Sequence, residues 1–467
     1  MANNLDGQFL ELLHHIKDKL VKEGADDAVV SGSKSSGQQI KFVNNKIAKT
    51  GTEGLVNVGI FFVKDRKVVT TNFKEAIDLS ADSPLDVPSM SYLKEKSDKL
   101  IQRLLQFSKP LQPKEDWFGL AEGPFKYREI PDTYDSKIAN ISAEQQVDLV
   151  NKGIVAALKE GAKRCGGIFE VQTGESFLVT SRNVETKSKG TSVYYSIRAL
   201  LDKEASGHNT ASERMLSKLD VEETAKFAGQ IATLAKKPKA GKKGAFDVIF
   251  APMSWGALLD QVGGSTSIFD VEAGTSFFIN KLGQPVANPL VNLYDDATVT
   301  GGYGSTEYDS EGTPTQRNVL IENGVLKNYL YNASTARKYK TNTTANAGLI
   351  SPHPWNLMLE PGKISKDDLF KQVQKGLYIT NIWYTRYQNY AAGDFSTIPR
   401  DGIFLIENGQ IVKSLKNIRI KENMIHLLQN LSGIASDARQ MTSWEINTPV
   451  TTPHVLVKEV NITKPTK

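Results

Sequence analysis

The sequence predicts an α+β protein, with helix-and-antiparallel-sheet N-terminal domains followed by a β-rich C-terminal domain. Three observations predict it. Apolar residues recur at helical spacing before residue 24 and again after residue 142. Apolar or alternating runs bounded by turn residues follow each of these helices. Beyond a lysine-rich break at 236–244, strands and glycine turns dominate.

Phe9, Leu12, Leu13, Ile16 and Leu20 form one helical stripe, and Gly24 stops it. Gln38, Ile40 and Phe42 alternate, and 55–63 is an apolar run. Lys64-Asp65-Arg66-Lys67 then turns the chain into Val68-Val69-Thr70-Thr71, a hairpin expected to pack on the first helix. The stretch 80–113 carries prolines at 84, 88, 110 and 113 around a short helix at 92–107. The Pro-, Gly- and aromatic-rich 110–131 reads as a long surface connection. Ser142-Ala143-Glu144-Gln145 is a capping box, Val147, Val150, Ile154 and Leu158 continue the helix, and Gly161 ends it. Strands are expected at 168–171, 175–179 and 192–201, and Asp220 with Glu223 opens a helix running to 235.

After the break, 246–250 reads as a strand and Ser254 as the cap of a short helix through Asp260. Ile321-Glu322-Asn323-Gly324 and Ile406-Glu407-Asn408-Gly409 are near copies. Asn-Gly between apolar runs favours a tight hairpin because both turn positions need positive φ. Helices are expected at 365–376 and 423–432. The resulting division is 1–108, 109–235, a basic linker at 236–244, and 245–467.

The 467 residues allow two or three domains, and 40% apolar with 23% charged residues is ordinary for a globular chain. Fifty-seven basic against 52 acidic residues give +5, which favours solubility without marking a nucleic-acid binder. Cys165 is the sole cysteine, so an internal disulfide and a thiolate zinc site are excluded, and it reads as an inert small residue after a helix. No basic-then-apolar leader pattern opens the sequence, and no apolar run approaches the roughly 20 residues that span a bilayer. A cytoplasmic protein without membrane contact is expected.

Catalytic signatures are lacking. The histidines are His14, His15, His208, His353, His426 and His454, none paired as a metal-binding helix motif. His208 could serve as an acid, base or substrate contact, but reads better as a surface residue; His353 and His454 read as loop residues. Gly302-Tyr303-Gly304 lacks the third glycine of a dinucleotide turn. Asp295-Asp296 and Asp309-Ser310-Glu311-Gly312 could hold a hard cation, yet without alternating ligands they read as turns. The lysines of 236–243 lack interleaved aromatic residues and read as a solvated hinge.

One resemblance spans 246–457. Asp295-Asp296, Asp309-Ser310-Glu311-Gly312-Thr313-Pro314-Thr315, the run 319–330, Thr335-Ala336-Arg337, Pro354-Trp355-Asn356-Leu357, Pro361-Gly362, Lys375-Gly376-Leu377, Gly393-Asp394-Phe395-Ser396 and the run 402–409 resemble, in this order, the TldD/PmbA family. The resemblance implies an intracellular assembly of two homologous subunits, named for peptide maturation and modulation of DNA gyrase. The TldD type carries a helical His-Glu-x-x-x-His motif and a C-terminal cysteine that bind zinc. Here the matching segment places Asp260 and Ser265 at the histidine positions and Gln261 at the glutamate position, and 434–441 has no cysteine. Glutamine cannot act as a general base. The chain thus resembles the PmbA (TldE) type, implying no catalytic residue, no metal and no cofactor of its own.

The implied role is a structural and substrate-binding partner of a TldD-like metallopeptidase subunit, in a heterodimer or homodimer. Peptides or unfolded proteins would be the substrate. Tyr303, Tyr384, Tyr387 and Tyr390 are candidate peptide-lining residues, since tyrosine offers amphipathic area at small entropic cost. Two alternatives stand beside it: a stand-alone peptidase with a metal on carboxylates such as Asp260, and a nucleic-acid-associated regulator using the lysine run.

Overall fold

The computed structural model describes residues 2–77 and 89–464, with side chains from residue 6 onward; Pro84 and Pro88 lie outside the described residues. The chain opens with a helix, three strands and a helix: α1 (Ala2–Lys22), β1 (Asp27–Val43), β2 (Lys46–Lys64), β3 (Lys67–Ala76) and α2 (Met90–Ser108). After the short α3 (Ser136–Ala139), the same succession returns as α4 (Ala143–Lys159), β4 (Arg164–Thr180), β5 (Glu185–Leu200), β6 (Ser206–Glu213) and α5 (Val221–Leu234). All six strands join one antiparallel sheet, ordered β3-β2-β1-β4-β5-β6, so strands of 1–108 and 109–235 share a ladder at β1–β4.

The repetition reaches the register. Asp27 faces Val63 and Arg164 faces Leu200, each residue of the second pair lying 137 positions after its counterpart (27 to 164, 63 to 200). Lys22-Glu23-Gly24-Ala25 leaves α1 and Lys159-Glu160-Gly161-Ala162 leaves α4 at that same offset. Both glycines take positive φ (+88° and +97°), the left-handed conformation that ends a helix cheaply only without a Cβ.

All four long helices cover one face of the sheet. Phe9, Leu12, Leu13 and Ile16 of α1 pack with Val30, Val58, Ile60 and Phe62. Val150, Ile154 and Ala157 of α4, with Ala225, Ala228 and Ala232 of α5, pack with Phe169, Val193, Tyr195 and Ile197. Alternation sends the intervening residues to the opposite face: Ser31, Ser33 and Ser35 on β1, Gln172 and Ser176 on β4, and Ser188, Ser192, Ser196 and Arg198 on β5. This serine-rich face looks toward the C-terminal half.

The remaining elements are β7 (Lys239–Ala240), β8 (Gly244–Phe250), α6 (Pro252–Gly264), α7 (Ile268–Glu272), β9 (Leu293–Asp296), β10 (Arg317–Glu322), β11 (Val325–Leu326), α8 (Ala333–Lys338), β12 (Leu357–Leu359), α9 (Lys366–Lys371), β13 (Lys375–Asn389), β14 (Asp394–Glu407), β15 (Gln410–Lys416), β16 (Arg419–Asn423), α10 (Met424–Gln429), β17 (Leu431–Ile434), β18 (Arg439–Ser443), β19 (Ile446–Thr452) and β20 (Val455–Thr463). β13, β8, β20, β16 and β14 pair in that order, and β14 returns to β13, closing a barrel. A second sheet runs β11-β10-β9-β12-β19-β18. The helix α6 lies between them: Ser254 Oγ donates to Ile379 O of the barrel, while Gly256 meets Ile446 and Gly263 meets Leu357 of the second sheet.

Several expectations need correction. The strands expected at 168–171 and 175–179 are one strand, β4, because ladders on both sides carry the backbone through Gly174. The polar 206–213 is β6, whose alternation is masked by small residues that pack against α5 and β18. Ser254 lies inside α6; Ala251 is the N-cap, with Pro252 following. The expected 365–376 helix stops at Lys371 because Gly376 pairs with Asp247 in the barrel. The helix expected over 423–432 yields to β17 at Leu431. Within 236–244, β7 pairs with β15, while Lys236, Lys237, Lys242 and Lys243 are exposed. Both Asn-Gly pairs form the expected tight turns, in different sheets.

The connection 110–131 is more than surface chain. Arg337 of α8 donates from Nη1 to Phe118 O (2.8 Å) and from Nη2 to Leu120 O (2.9 Å), and Ser334 Oγ accepts from Phe118 N (2.9 Å). The segment straps the N-terminal sheet to the C-terminal half. Among the described residues, no helix is long and apolar enough to cross a membrane.

Candidate functional site

The motif helix α6 is apolar nearly all round and buried on both sides. Asp260, which the resemblance sets at the first histidine position, is buried and both its oxygens are engaged: Oδ2 accepts from Asn447 N (3.2 Å) and Oδ1 from Thr448 N (3.0 Å). Burial pushes its carboxyl above the usual range, opposed by these two amides. Ser265, at the second position, caps the helix end, its Oγ donating to Gln261 O (2.9 Å). Gln261 is half-buried beside it. These residues do not fit zinc: one carboxylate committed to backbone amides, one hydroxyl committed to a carbonyl and one amide offer no tetrahedral N/S/O set. Among the described residues no group of three His, Cys, Asp or Glu side chains is placed to hold a metal ion.

Asp260 anchors the β18–β19 hairpin, whose tip residues Ser443, Trp444 and Glu445 line a cavity of about 460 Å³ at one end of the serine-rich face. Across it stand Ser196, Arg198 and His208 of the N-terminal sheet and Asn381, Trp383 and Arg400 of the barrel. His208 is enclosed in a network, which corrects its reading as a surface residue. Its Nε2 lies 2.9 Å from Ser196 Oγ and its Nδ1 3.2 Å from Asn381 Nδ2. Asp401 accepts from Arg198 Nη2 (2.8 Å) and Ser206 Oγ (2.6 Å). Burial holds the imidazole below its ordinary pKa. Burial would raise Asp401, but Arg198, His208 and Ser206 outweigh it and hold the carboxyl low.

A cavity of about 760 Å³ is lined by the 127–134 segment with Glu175, Phe177, Lys187 and Lys189. Farther along the serine-rich face, two adjoining cavities of about 380 and 270 Å³ form a polar trough between the sheet and the loops around 303–310. Tyr303 lines it, its N donating to Gln440 Oε1 (2.7 Å) and its O accepting from Arg214 Nη1 (3.3 Å). Tyr384, Tyr387 and Tyr390 are elsewhere, on the outer end of the β13–β14 ladder. Tyr387 stacks between Phe277 and Tyr390, and Tyr384 takes φ +66° at a register shift with Arg386 over its ring. The four tyrosines therefore mark two separate places.

The acidic clusters are buried supports. Asp295 accepts from the backbone N of Trp355 (2.7 Å) and Asn356 (3.0 Å) and from Asn346 Nδ2 (2.6 Å). Asp309 accepts from the backbone N of Glu311, Thr313 and Ala347. His454, expected in a loop, is buried with Nδ1 2.7 Å from Asp437 Oδ2. Cys165 is buried, and burial pushes its thiol up to about 11, consistent with an inert residue.

Arg198, Asn381, Trp383, Arg400, Asp401 and Trp444 were missed in the sequence. The available signal was the period-2 polar series Ser192, Tyr194, Ser196, Arg198 on β5, opposite an apolar series that fills the core.

Residues 136–236 match the family description "PmbA/TldA metallopeptidase central domain", and residues 243–464 match "PmbA/TldA metallopeptidase C-terminal domain". The chain belongs to the PmbA/TldD family. A metalloprotease TldD homolog of Buchnera aphidicola is 32% identical over 226 residues, covering 47% of this chain and 46% of that protein. A metalloprotease PmbA homolog of the same species is 28% identical over 167 residues, covering 35% of each chain. The chain spans about half the length of the first curated relatives it matches. Among solved structures, TldE of Thermococcus kodakarensis superposes with a TM-score of 0.82 at 23% identity, covering 97% of this chain and all of that one. A Thermotoga maritima protein described as a proposed modulator of a DNA gyrase gives 0.81 at 24%, with the same coverage. At those identities the likeness shows the PmbA/TldD fold alone.

Proposed function

We propose that this chain is the non-catalytic, structural and peptide-binding subunit of a TldD/TldE-like metallopeptidase complex. Its partner would be a homologous TldD-type subunit bearing the zinc helix, and its substrates peptides or unfolded proteins. One observation carries the reading: in a family whose relatives are named metalloproteases, the motif helix here holds Asp260, Gln261 and Ser265, and Asp260 is committed to the backbone of residues 447 and 448. The helix serves as a beam joining the barrel to the second sheet. The serine-rich trough gives the subunit a polar surface on which an extended peptide can rest, with backbone groups recognised by hydroxyls rather than by sequence.

Co-expression with a TldD-type homologue tests this. The expected result is a stable complex that cleaves unfolded polypeptide, while this chain alone is inactive with or without added zinc. Cleavage by the purified chain alone, abolished by a chelator, would overturn the proposal in favour of a stand-alone peptidase.

A further inference from the structure

We propose that the cavity between β5–β6 and the β18–β19 hairpin binds the free C-terminal carboxylate of a peptide whose last side chain is apolar. The inference rests on the peptide-binding reading above and assigns it a specific site.

The donor set follows from one orientation. Asn381 Nδ2 lies 3.3 Å from Asp401 Oδ2, so the amide must turn its NH2 toward that carboxylate. The same NH2 faces His208 Nδ1 at 3.2 Å, which must therefore accept. A neutral imidazole that accepts at Nδ1 carries its hydrogen on Nε2, and that hydrogen points to Ser196 Oγ at 2.9 Å. Burial keeps the ring neutral. In this tautomer the pair cannot take the serine proton, so Ser196 is no nucleophile. Its oxygen accepts from the imidazole, so its own hydrogen points away from His208 and can turn to the neighbouring Tyr194 or to a ligand.

Two guanidinium groups complete the set. Arg198 lines the cavity, is held by Asp401 through Nη2, and keeps 39% of its side chain exposed. Arg400 also lines the cavity, its guanidinium carbon 4.1 Å from the ring centroid of Trp383. Gly166, opposite Arg198 in the ladder, contributes no side chain, and this opens the space beside the guanidinium. Planar, paired donors suit a carboxylate.

The charge and walls narrow the ligand further. Arg198 and Arg400 stand against Asp401 and Glu445, so the charges of the site balance, and a monoanion meets less repulsion there than a dianionic phosphate. Ile382, Trp383 and Trp444 supply an apolar wall, and Trp444 is 83% exposed at a hairpin tip, a large apolar surface that a ligand's side chain would cover.

The test uses the full chain and two N-acetylated tripeptides ending in phenylalanine, one a free acid and one a C-terminal amide, read by tryptophan fluorescence and calorimetry. The acid should bind about tenfold or more tightly than the amide, the scale of a charge-assisted hydrogen bond. Ser196→Ala and Arg400→Gln should each shrink that preference while leaving the urea midpoint unchanged, and Trp444→Ala should weaken acid and amide alike. Equal binding of acid and amide overturns this site and leaves the peptide-binding reading standing. Tighter binding of inorganic phosphate than of N-acetylphenylalanine also overturns it, in favour of a phosphate site. Failure of both tripeptides to bind, together with partner-dependent cleavage in the complex, overturns this site without touching the complex.

Discussion

Asp260 is a buried carboxylate that holds backbone. Its carboxylate accepts two backbone N–H groups of the strand that follows Trp444. Replacing it with histidine, the residue a zinc helix would need, leaves both donors without their acceptor. Asp260→His should lower the unfolding free energy by about 2 kcal/mol or more, since each unsatisfied buried donor costs about 1–3 kcal/mol. Urea denaturation measures this, and an unchanged midpoint would refute the anchoring role. A second residue-scale prediction concerns Glu311, which is fully buried with Oε2 accepting from Ala333 N and Oε1 unpartnered among the described residues. Burial, and then the Asp309 charge, push its carboxyl above the ordinary range. A group with a raised folded pKa stabilises fully below its unfolded value of about 4.3 and loses that contribution as pH rises through the folded value. Glu311→Gln should therefore be increasingly more stable than the native chain as pH rises from about 5 to about 8, read as the gap between their urea midpoints. A gap that closes with pH would contradict the assignment.

At the scale of elements, the 110–131 strap is held by three side chains of α8: Ser334, Arg337 and Lys338. Arg337 supplies two hydrogen bonds to carbonyls at 118 and 120. Because Arg337 is largely solvent-exposed, Arg337→Leu should cost only about 1 kcal/mol of global stability. It should nevertheless free the strap locally, so limited proteolysis should cut within 110–131 several times faster in the variant. Equal cutting rates would mean that Trp117 and Leu120, packed against Phe61 and Val184, hold the strap without Arg337. The hairpins at Asn323-Gly324 and Asn408-Gly409 are governed by local geometry: each asparagine and glycine has positive φ, and each turn joins adjacent strands.

For the whole molecule, the governing feature is the repeated helix–three strands–helix unit. Two such units share the β1–β4 ladder and place their four long helices on one face. The other face is left to the C-terminal half, and the polar trough and the carboxylate cavity open along it. Asp295 belongs to this scale too: it ties 346, 355 and 356 beneath the trough, and burial pushes it up to about 6. Its contribution is complete below about pH 4 and lost as pH rises through about 6. Asp295→Asn should still be destabilised near neutral pH by about 1–3 kcal/mol, because the amide cannot accept at both oxygen positions. Thermal unfolding at neutral pH measures this, and a stabilised variant would refute it.

Periodicity and turn chemistry in the sequence determined the first helix, the capping box at Ser142, the β-rich C-terminal texture and both Asn-Gly hairpins. Each of these is decided by residues within about one or two turns of one another. The repeat was legible in Lys-Glu-Gly-Ala at 22–25 and 159–162, but four residues are a faint signal until register gives the same 137-position offset. Tertiary structure alone decided that 168–179 is one strand, that 206–213 pairs at all, and that His208 is enclosed. It alone brought Arg198, Asn381 and Trp444 to one cavity. Those outcomes depend on ladders and packing between residues up to about 280 positions apart (166 to 445), whose free energy exceeds local preference and leaves no trace in any short window.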